Sequence, residues 1–354
     1  MDVENLLPIY QEALMAGTTQ ITCTGLSLLT DNAISHDKFT RLLSSGQINE
    51  KHVWQQAKVL CHELRDREAV FIVDDSIQAK PYTDESELNC WHYDHVSGKN
   101  VKGVCFLTGL YYGDGVSVPA GVEFVTKPVK TVNKKGKRVR KAKVSKNTLF
   151  RNIVGHGLNN LDFKYVLADS WFGNSENMKF VKQKDGLFVF ALKSNRKAAL
   201  SLEDKQNGRY TNIRSMGLEG RSQVVYFEQL DFPVAITCQV FKNGDDTAAL
   251  YLASNDLDLD SGQMAIIYQK RWKVEEYHKS IKSNTCFAKS PTRTVTTQKS
   301  HFLASIGAFS RFELLKMRKD KNHFALKCYI NIMAMRQASS EVRKLLTPNV
   351  GKVA

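Results

Sequence analysis

The stretch that decides the fold class is YQKRWKVEEYHKSIK, residues 268–282, in which polar residues recur at fixed spacing. Tyr268, Arg271, Glu275 and Lys282 stand in the pattern Y-x2-R-x3-E-x6-K. On an α-helix, steps of three, four and seven residues keep side chains on one face, so the stretch predicts a polar stripe about 20 Å long. A carboxylate among cations on such a stripe suits metal-assisted chemistry on phosphates. The alternative from spacing alone is an amphipathic helix with an ion pair between Arg271 and Glu275.

Two acidic positions upstream of this helix favour the metal interpretation. The apolar runs in AVFIVDDS and KYVLADSWFGN predict buried strands that lead to Asp74 and Asp169 respectively. Ligands commonly bind where the carboxyl ends of strands reach the edge of a sheet, although a strand-end Asp alone often caps the next helix. Two such acids followed by a helical Glu275 form a set of hard oxygen ligands for Mg²⁺ or Mn²⁺. A two-metal site of this kind clamps both oxygens of an in-line phosphoryl displacement.

Together these features resemble the DDE transposases of bacterial insertion sequences, whose superfamily carries the Y-x2-R-x3-E-x6-K signature. The resemblance spans roughly residues 30–315 and rests on the signature, on DDS at 74–76, on ADSWFG at 168–173 and on the order of the acids. It implies an α/β fold with an RNase H-like catalytic core. It also implies a DNA strand transferase that depends on Mg²⁺, for which Mn²⁺ substitutes.

The resemblance assigns roles to individual residues as well. Catalysis and metal binding fall to Asp74, Asp169 and Glu275, and contacts with DNA phosphates fall to Tyr268, Arg271, Lys279 and Lys282. The family's first acid is usually followed two residues later by Thr or Ser, which selects Asp74 because Ser76 follows it. The adjacent Asp75 remains the alternative first acid, since the doublet leaves the register open.

Composition agrees with a globular protein that binds a polyanion. The 354 residues include 50 Lys and Arg against 36 Asp and Glu, a formal charge of +14, and 42% of them are hydrophobic. An excess of positive charge favours a polyanionic partner. The resemblance implies that this partner is double-stranded DNA, namely the terminal inverted repeats of an element and its target, held by a homodimer in the synaptic complex.

The same composition predicts a cytosolic location. No run of 18 apolar residues indicates a membrane span, and the N-terminus lacks the basic region of a signal peptide. Seven scattered cysteines without a C-x-x-C motif indicate reduced thiols. We therefore expect a protein of the bacterial cytosol that associates with the nucleoid.

Helix and strand patterns divide the chain into segments. Residues 1–68 predict a helical domain that binds DNA ends, 69–195 the first part of the core, 196–255 a β-rich insertion, 256–315 the second part of the core, and 316–354 a basic helical tail. The short helices of the first segment are compatible with a helix-turn-helix DNA reader or with a bundle that only packs.

Residues 127–146 are the most basic part of the chain, with ten cations and no acid in twenty residues. Such a run predicts a solvated loop that binds phosphates without sequence preference, or one that merely keeps the chain soluble. We assign DNA contacts to Lys134, Lys135, Lys137, Arg138, Arg140 and Lys141. The run has no aromatic side chain, so it predicts affinity for DNA and not a choice of sequence.

Two further features carry weaker signals. His92, Asp94 and His95 form a His-rich cluster without an evident fourth ligand, which we expect to order a linker or contact DNA and not to bind metal. Trp171 and Trp272 lie beside acid or signature residues, and we expect them to pack in the core, with stacking on an extruded base as the alternative.

Several functional alternatives share parts of this pattern. A nuclease of the same fold would cut DNA without strand transfer, and a repressor derived from a transposase would bind DNA without cutting it. A phosphohydrolase for small substrates fits the acids but leaves the charge of +14 unexplained. Because the three acids are intact, the sequence favours a cut-and-paste transposase that cleaves an element end and joins its 3′-OH to target DNA.

Overall fold

The computed structural model describes residues 3–64, 66, 68–95, 97–134, 136–243 and 246–346. The chain forms two compact units. The first, here called the terminal unit, contains the N-terminal residues up to His52 and the C-terminal residues from His278, and the second, the central unit, runs from Val53 to Tyr277. The terminal unit is helical, whereas the central unit is built on a mixed sheet, so the protein is a mixed α/β structure.

The secondary structure elements have the following bounds. The helices are α1 (Val3–Ala16), α2 (Cys23–Leu29), α3 (His36–Ser44), α4 (Glu50–Leu64), α5 (Lys146–Asn160), α6 (Ser175–Gln183), α7 (Leu202–Gln206), α8 (Ser261–Gln269), α9 (Trp272–Asn284), α10 (Val295–Lys319) and α11 (His323–Leu346). The strands are β1 (Val70–Ala79), β2 (Asn89–Asp94), β3 (Lys99–Gly113), β4 (Val116–Phe124), β5 (Val129–Val132), β6 (Arg138–Lys141), β7 (Tyr165–Ala168), β8 (Leu187–Leu192), β9 (Lys197–Ala198), β10 (Thr211–Asn212), β11 (Gln223–Val225), β12 (Val234–Asn243) and β13 (Asp246–Ser254).

The terminal unit is held together by α1, α10 and α11, which come from opposite ends of the chain. The hydroxyl of Tyr10 on α1 hydrogen-bonds to Nδ1 of His301 on α10 at 2.7 Å. The Nζ of Lys327 on α11 donates to the carbonyls of Met15 and Gly17 at 2.5 and 2.6 Å. These bonds satisfy carbonyls that the C-terminal end of α1 leaves without helical partners. The role of the N-terminal helices in DNA binding stays a prediction.

The central unit is organised around a nine-stranded sheet in the order β11-β12-β13-β8-β7-β1-β3-β2, with β4 also paired to β3. Strands β1, β7 and β8 run parallel to one another, and the remaining pairs are antiparallel. Helix α5 packs against β1, β3 and β4, while α6 packs against β8. Strands β7 and β8 are almost entirely buried, as expected for parallel strands in a sheet that is covered by helices.

Strand β1 extends further than the sequence predicts. The sequence predicts a strand in AVFIVDDS and then a linker over residues 76–100, but β3 pairs with β1 from Val70–Tyr112 to Ala79–Gly103. The polar residues after Asp74 conceal this strand because they lack an apolar run. The predicted linker also contains a strand, since β2 pairs with β3.

The basic run also folds differently from the prediction. It forms a β-hairpin in which β5 pairs with β6, and not a loop without secondary structure. β-branched residues alternate with the cations and favour strands, for example Thr131 paired with Val139. The turn is closed by the backbone N–H of Lys137, which donates to Oδ1 of Asn133 at 2.9 Å, and by Gly136 at a φ of +74°.

The segment between Asp169 and Glu275 contributes strands to the same central sheet. Strand β13 pairs antiparallel with β8, from Tyr251–Leu192 to Ser254–Val189, and β12 and β11 continue the sheet outward. Within the described part of the chain, no helix is both long and apolar enough to cross a membrane.

Candidate active site

The parallel pairing of β1 with β7 brings two of the predicted acids side by side. Val73 pairs with Ala168, and the residues that follow them are Asp74 and Asp169. Asp74 lies within β1 and is buried, while Asp169 directly follows the end of β7 and is half-buried. The register of the sheet therefore determines how close the two carboxylates come.

Asp169 is oriented by the turn that follows β7. Its Oδ1 accepts the backbone N–H of Trp171 at 3.0 Å and that of Phe172 at 3.3 Å. Its other oxygen, Oδ2, has no hydrogen-bond partner among the described residues. A carboxylate held by one oxygen leaves the other available to a ligand.

The signature residues lie at the junction of two helices and not on one. The backbone N–H of Arg271 donates to the carbonyl of Tyr268 at 2.9 Å, and that of Val274 donates to the carbonyl of Arg271 at 3.1 Å. These i→i−3 bonds tighten the chain between α8 and α9 and interrupt the α-helix. The predicted single helix is therefore wrong, yet the i,i+4 pair survives, because Nη1 of Arg271 lies 3.5 Å from Oε1 of Glu275.

Arg271 bridges two of the acids. Its Nη1 donates to Oδ2 of Asp74 at 3.0 Å and also faces Glu275. The side chain of Arg271 is only 16% exposed, and its guanidinium carbon lies 5.9 Å from the centre of the Tyr268 ring. With little water around it, the Coulombic attraction within this pair exceeds that of a surface pair of the same length, but burial also removes the hydration of both charges.

Burial and mutual repulsion act against ionisation of the acids in this site. Burial and then the charge of Asp169 raise the pKa of Asp74 to about 8, against the opposing effect of Arg271. Burial also raises the pKa of Asp169, while the N–H of Phe172 opposes the rise. When they are all ionised, the carboxylates of Asp74, Asp169 and Glu275 and the guanidinium of Arg271 leave an excess of two negative charges, which one divalent cation would balance.

Asp75, the alternative first acid, is engaged elsewhere. Successive side chains of a strand point to opposite faces, so Asp75 faces away from Asp74. Its Oδ2 accepts from Nζ of Lys146 at 2.6 Å and lies 3.6 Å from Sγ of Cys105. Lys146 stands at the start of α5, 71 residues along the chain from its partner, and no local sequence signal announces the pair.

Two of the predicted acids form a pair of potential metal ligands. The ligand atoms of Asp74 and Glu275, both in the central unit, lie within 4.8 Å of each other. Carboxylates suit Mg²⁺ and Mn²⁺. Asp169 lies outside this pair.

Comparison with known families agrees with this arrangement. A model described as a DDE superfamily endonuclease matches residues 2–219, more than half of the chain, and a transposase DDE domain model matches residues 135–309. The chain belongs to the DDE superfamily. The family resemblance predicted from sequence is confirmed, while an origin in a bacterial insertion sequence stays a prediction.

Comparisons with individual proteins found low sequence identity to this DDE chain, or no match. No curated protein matches it. The Drosophila P element transposase strand transfer complex is similar over 90% of this chain and 81% of that chain, with 10% identity and a TM-score of 0.26. An Argonaute from Marinitoga piezophila, in complex with a 5′-OH guide RNA and target DNA, is similar over 58% of this chain, with 8% identity and a TM-score of 0.20. The DDE chain spans 25% of that Argonaute chain.

The predicted DNA contacts on α9 occupy different environments. Lys279 is exposed, with its Nζ 5.5 Å from the centre of the Phe324 ring, and Lys282 is half-buried. Tyr268, near the end of α8, is buried beside Arg271, and its burial raises the pKa of its hydroxyl well above the usual range.

The cations of the basic hairpin also differ from one another. Of the cations to which we assigned DNA contacts, Lys134, Lys137, Arg138 and Lys141 are exposed, as is Lys130 on β5. Lys135 lies outside the described residues. Arg140 is partly engaged within the protein, since its Nε lies 3.1 Å from Glu85 and its Nη1 donates to the carbonyl of Lys127 at 3.3 Å.

The His-rich cluster of the DDE chain orders β2 and the turn after it. His92 is buried, with its Nε2 3.3 Å from Sγ of Cys90, whereas Asp94 accepts from Oγ of Ser97 at 2.7 Å. The ring of His95 instead lies 5.2 Å from that of Trp171.

The two tryptophans are not core residues. Trp171 is 43% exposed and Trp272 is 61% exposed, so the expected core packing is wrong for both. Trp171 lies in the turn that follows Asp169, and Trp272 begins α9 directly after Arg271. Both side chains reach the surface.

Proposed function

We propose that this DDE superfamily protein is a transposase, an enzyme that cuts DNA at the end of an element and joins the resulting 3′-OH to target DNA. The observation that carries the proposal is the pairing of Arg271 with Asp74 and Glu275 next to Asp169, which follows the neighbouring strand in the sheet. The order β4-β3-β1-β7-β8 supports an RNase H-like core, because three antiparallel strands are followed by two strands parallel to β1.

The three acids would hold Mg²⁺, or Mn²⁺ in its place, because hard cations prefer carboxylate oxygens. When bound, the metal would activate water for attack on the phosphodiester and stabilise the leaving oxygen. The unpartnered Oδ2 of Asp169 and the excess of two negative charges fit such a cation. Asp74, on a central strand, would supply a fixed position, and alignment of the reacting groups is a large part of catalysis.

Arg271 would position both the acids and the DNA. A guanidinium has five N–H donors, so the Nη1 contacts with Asp74 and Glu275 leave donors for a phosphate oxygen. The ring of Tyr268 lies beside the guanidinium, at 5.9 Å from its carbon. Lys279 and Lys282 continue along α9, and we assign them to phosphates of the same duplex.

The charge of +14 and the basic hairpin support DNA as the substrate. The hairpin would contact phosphates regardless of sequence, while the N-terminal helices would bind the terminal repeats. By resemblance to the family, the active assembly would be a homodimer on two element ends in the bacterial cytosol.

A nuclease without strand transfer is the second candidate, because the matching model with the longer span is described as an endonuclease. Both enzymes would use the same acids. We expect a duplex with a pre-cut 3′-OH element end to become joined to a supercoiled plasmid in Mg²⁺, as measured by gel electrophoresis. Cleavage of an intact end without any joined product would identify the nuclease instead.

The acids themselves are tested by Glu275→Gln, with Glu276→Gln as the matched control. Glu276 is the next residue on α9 and pairs with Lys273 at 2.9 Å on the surface. Loss of a metal ligand removes several kcal/mol of transition-state stabilisation, so we expect Glu275→Gln to slow cleavage about 10³-fold. Glu276→Gln should change the rate less than about threefold. A Glu275→Gln variant that cuts at the wild-type rate would exclude the DDE mechanism.

A further inference from the structure

A polar cavity of about 670 Å³ lies in the central unit, beside the turn that orients Asp169. Trp171 connects the two features, because its backbone N–H binds Asp169 and its partly exposed ring lines the cavity. None of the residues to which the sequence assigned contacts with DNA phosphates lines this cavity. Its chemistry is therefore not explained by the roles assigned so far.

Cations without acidic partners line the cavity. Arg151 donates from Nη1 to Oδ1 of Asn177 at 3.0 Å, and Arg196 donates from Nη2 to Oγ of Ser175 at 3.1 Å. Lys193 also lines the cavity, and its Nζ lies 5.3 Å from the centre of the Trp171 ring. Among the described residues, no salt bridge includes any of these three side chains. Their positive charges are therefore available to an anion.

Arg196 is partly withdrawn from water. Burial lowers its pKa, and its guanidinium carbon lies 4.7 Å from the centre of the Phe227 ring. A guanidinium still stays charged at neutral pH and offers five N–H donors, of which the hydroxyl of Ser175 accepts one. A cation held in this way, without a carboxylate, is expected where a ligand supplies the negative charge.

Two helices also begin at the cavity wall. Ser145 caps α5 and Asn174 caps α6, and both residues line the cavity. Helix N-termini carry partial positive charge and favour anions. Glu176 is the acid in the lining, but its side chain is 74% exposed and lies 3.8 Å from Nζ of Lys179. The field inside the cavity is therefore positive.

We propose that this cavity binds the 5′-terminal phosphate of the DNA strand that cleavage releases, an inference that rests on the proposed transposase activity. In hydrolysis that leaves a 3′-OH, water forms a new P–O bond, the bond between phosphorus and O3′ breaks, and a proton passes to O3′. The phosphate then terminates the 5′ end of the other fragment. A terminal phosphate carries nearly two negative charges at pH 7, because its second pKa is about 6, whereas an internal phosphodiester carries one. Three unpaired cations select the more highly charged group.

The test measures end binding by the full chain without metal, in EDTA. Two duplexes with the sequence of the released flanking fragment differ only in whether the cut end carries a 5′-phosphate or a 5′-OH, and fluorescence anisotropy gives the dissociation constant of each. We expect the wild type to bind the phosphorylated end about tenfold more tightly, the effect of one or two charged hydrogen bonds. Arg196→Gln and Lys193→Gln should reduce this ratio to about two or less.

Controls separate this effect from folding and from general charge. Lys193 is exposed, so Lys193→Gln tests the cavity even if Arg196→Gln lowers the melting temperature. Lys179→Gln removes a nearby cation on α6 that does not line the cavity, and it should leave the ratio unchanged. A wild-type ratio near one, or an equal loss in the Lys179 variant, would overturn the proposal.

Competition distinguishes a DNA end from free phosphate. 2′-Deoxyadenosine 5′-monophosphate should displace the phosphorylated duplex at a concentration at least about fivefold below that of inorganic phosphate, since Trp171 adds an apolar wall beside the charged site. Equal competition would overturn the assignment to a DNA end. Cleavage in Mg²⁺ is measured in parallel: normal cleavage with a ratio near one contradicts only the cavity proposal, and a tenfold ratio without cleavage contradicts only the transposase.

Discussion

The acid cluster around Asp74 and the basic hairpin of β5 and β6 both concentrate charges of one sign, but they hold them in opposite ways. Asp74 is 8% exposed and lies within the nine-stranded sheet, whereas Arg138 and Lys141 are exposed on a two-stranded hairpin. Charges in a dehydrated site interact strongly, while exposed charges are screened over about 10 Å at 0.1 M salt. The cluster is therefore suited to chemistry at fixed positions and the hairpin to diffuse attraction of DNA.

The largest expected effect separates two neighbouring acids within the cluster. Asp74→Asn should slow single-turnover cleavage in Mg²⁺ about 10³-fold, because it removes a proposed metal ligand. Asp75→Asn should change the rate less than about fivefold, because Asp75 pairs with Lys146 on the other face of β1. The opposite ranking of the two variants would show that the first metal ligand is Asp75.

A smaller effect distinguishes two arginines that are both paired with carboxylates, one in each region. Arg271→Gln should slow cleavage about 10²-fold, in line with the loss of one aligned donor in a site that excludes water. Arg140→Gln, which loses its contact with the partly exposed Glu85, should leave the rate within about threefold. Both rates are measured at saturating DNA, with thermal unfolding as the control for folding. Equal losses in the two variants would mean that Arg271 acts only by holding the structure together.

The smallest effect on the chemical step is expected from the exposed hairpin cations. Replacing Lys134, Lys137, Arg138 and Lys141 by Gln should leave cleavage at saturating DNA unchanged. It should flatten the slope of log K against log salt by up to about four, because each phosphate contact contributes roughly 0.9. The measurement is a salt titration of binding to an element end and to random duplex. An unchanged slope on both would show that these cations do not contact DNA, and a loss on the element end alone would show that they choose sequence.

The sequence predicts most of the acid cluster because its signals are local. Two apolar runs lead directly to Asp74 and Asp169, and the spacing from Arg271 to Glu275 is that of a helical ion pair, which the structure contains. The break between α8 and α9 was not predictable in the same way, since neither Gly nor Pro marks it. The hairpin was missed because its cations obscured the strand preference of Val129 and its β-branched neighbours.

The polar cavity lined by Arg151, Lys193 and Arg196 could not be predicted from the sequence. Arg151 lies on α5, whereas Arg196 lies in the loop between β8 and β9, 45 residues further along the chain, and neither stands in a motif. They line the same cavity because α6 packs against both α5 and β8. Sites assembled by tertiary packing leave no periodic trace along the chain, whereas acids at the ends of strands do.

The pairing of β13 with β8 has a consequence for the integrity of the sheet. Without the segment that carries β11, β12 and β13, β8 would become an open edge with unpaired backbone groups next to the apolar side chains of Leu187–Leu192. Exposed apolar edges of this kind recruit strands from other molecules and lead to aggregation. This segment therefore prevents strands of other molecules from adding to the sheet. We expect a shortened chain that lacks it to aggregate, in addition to any loss of activity.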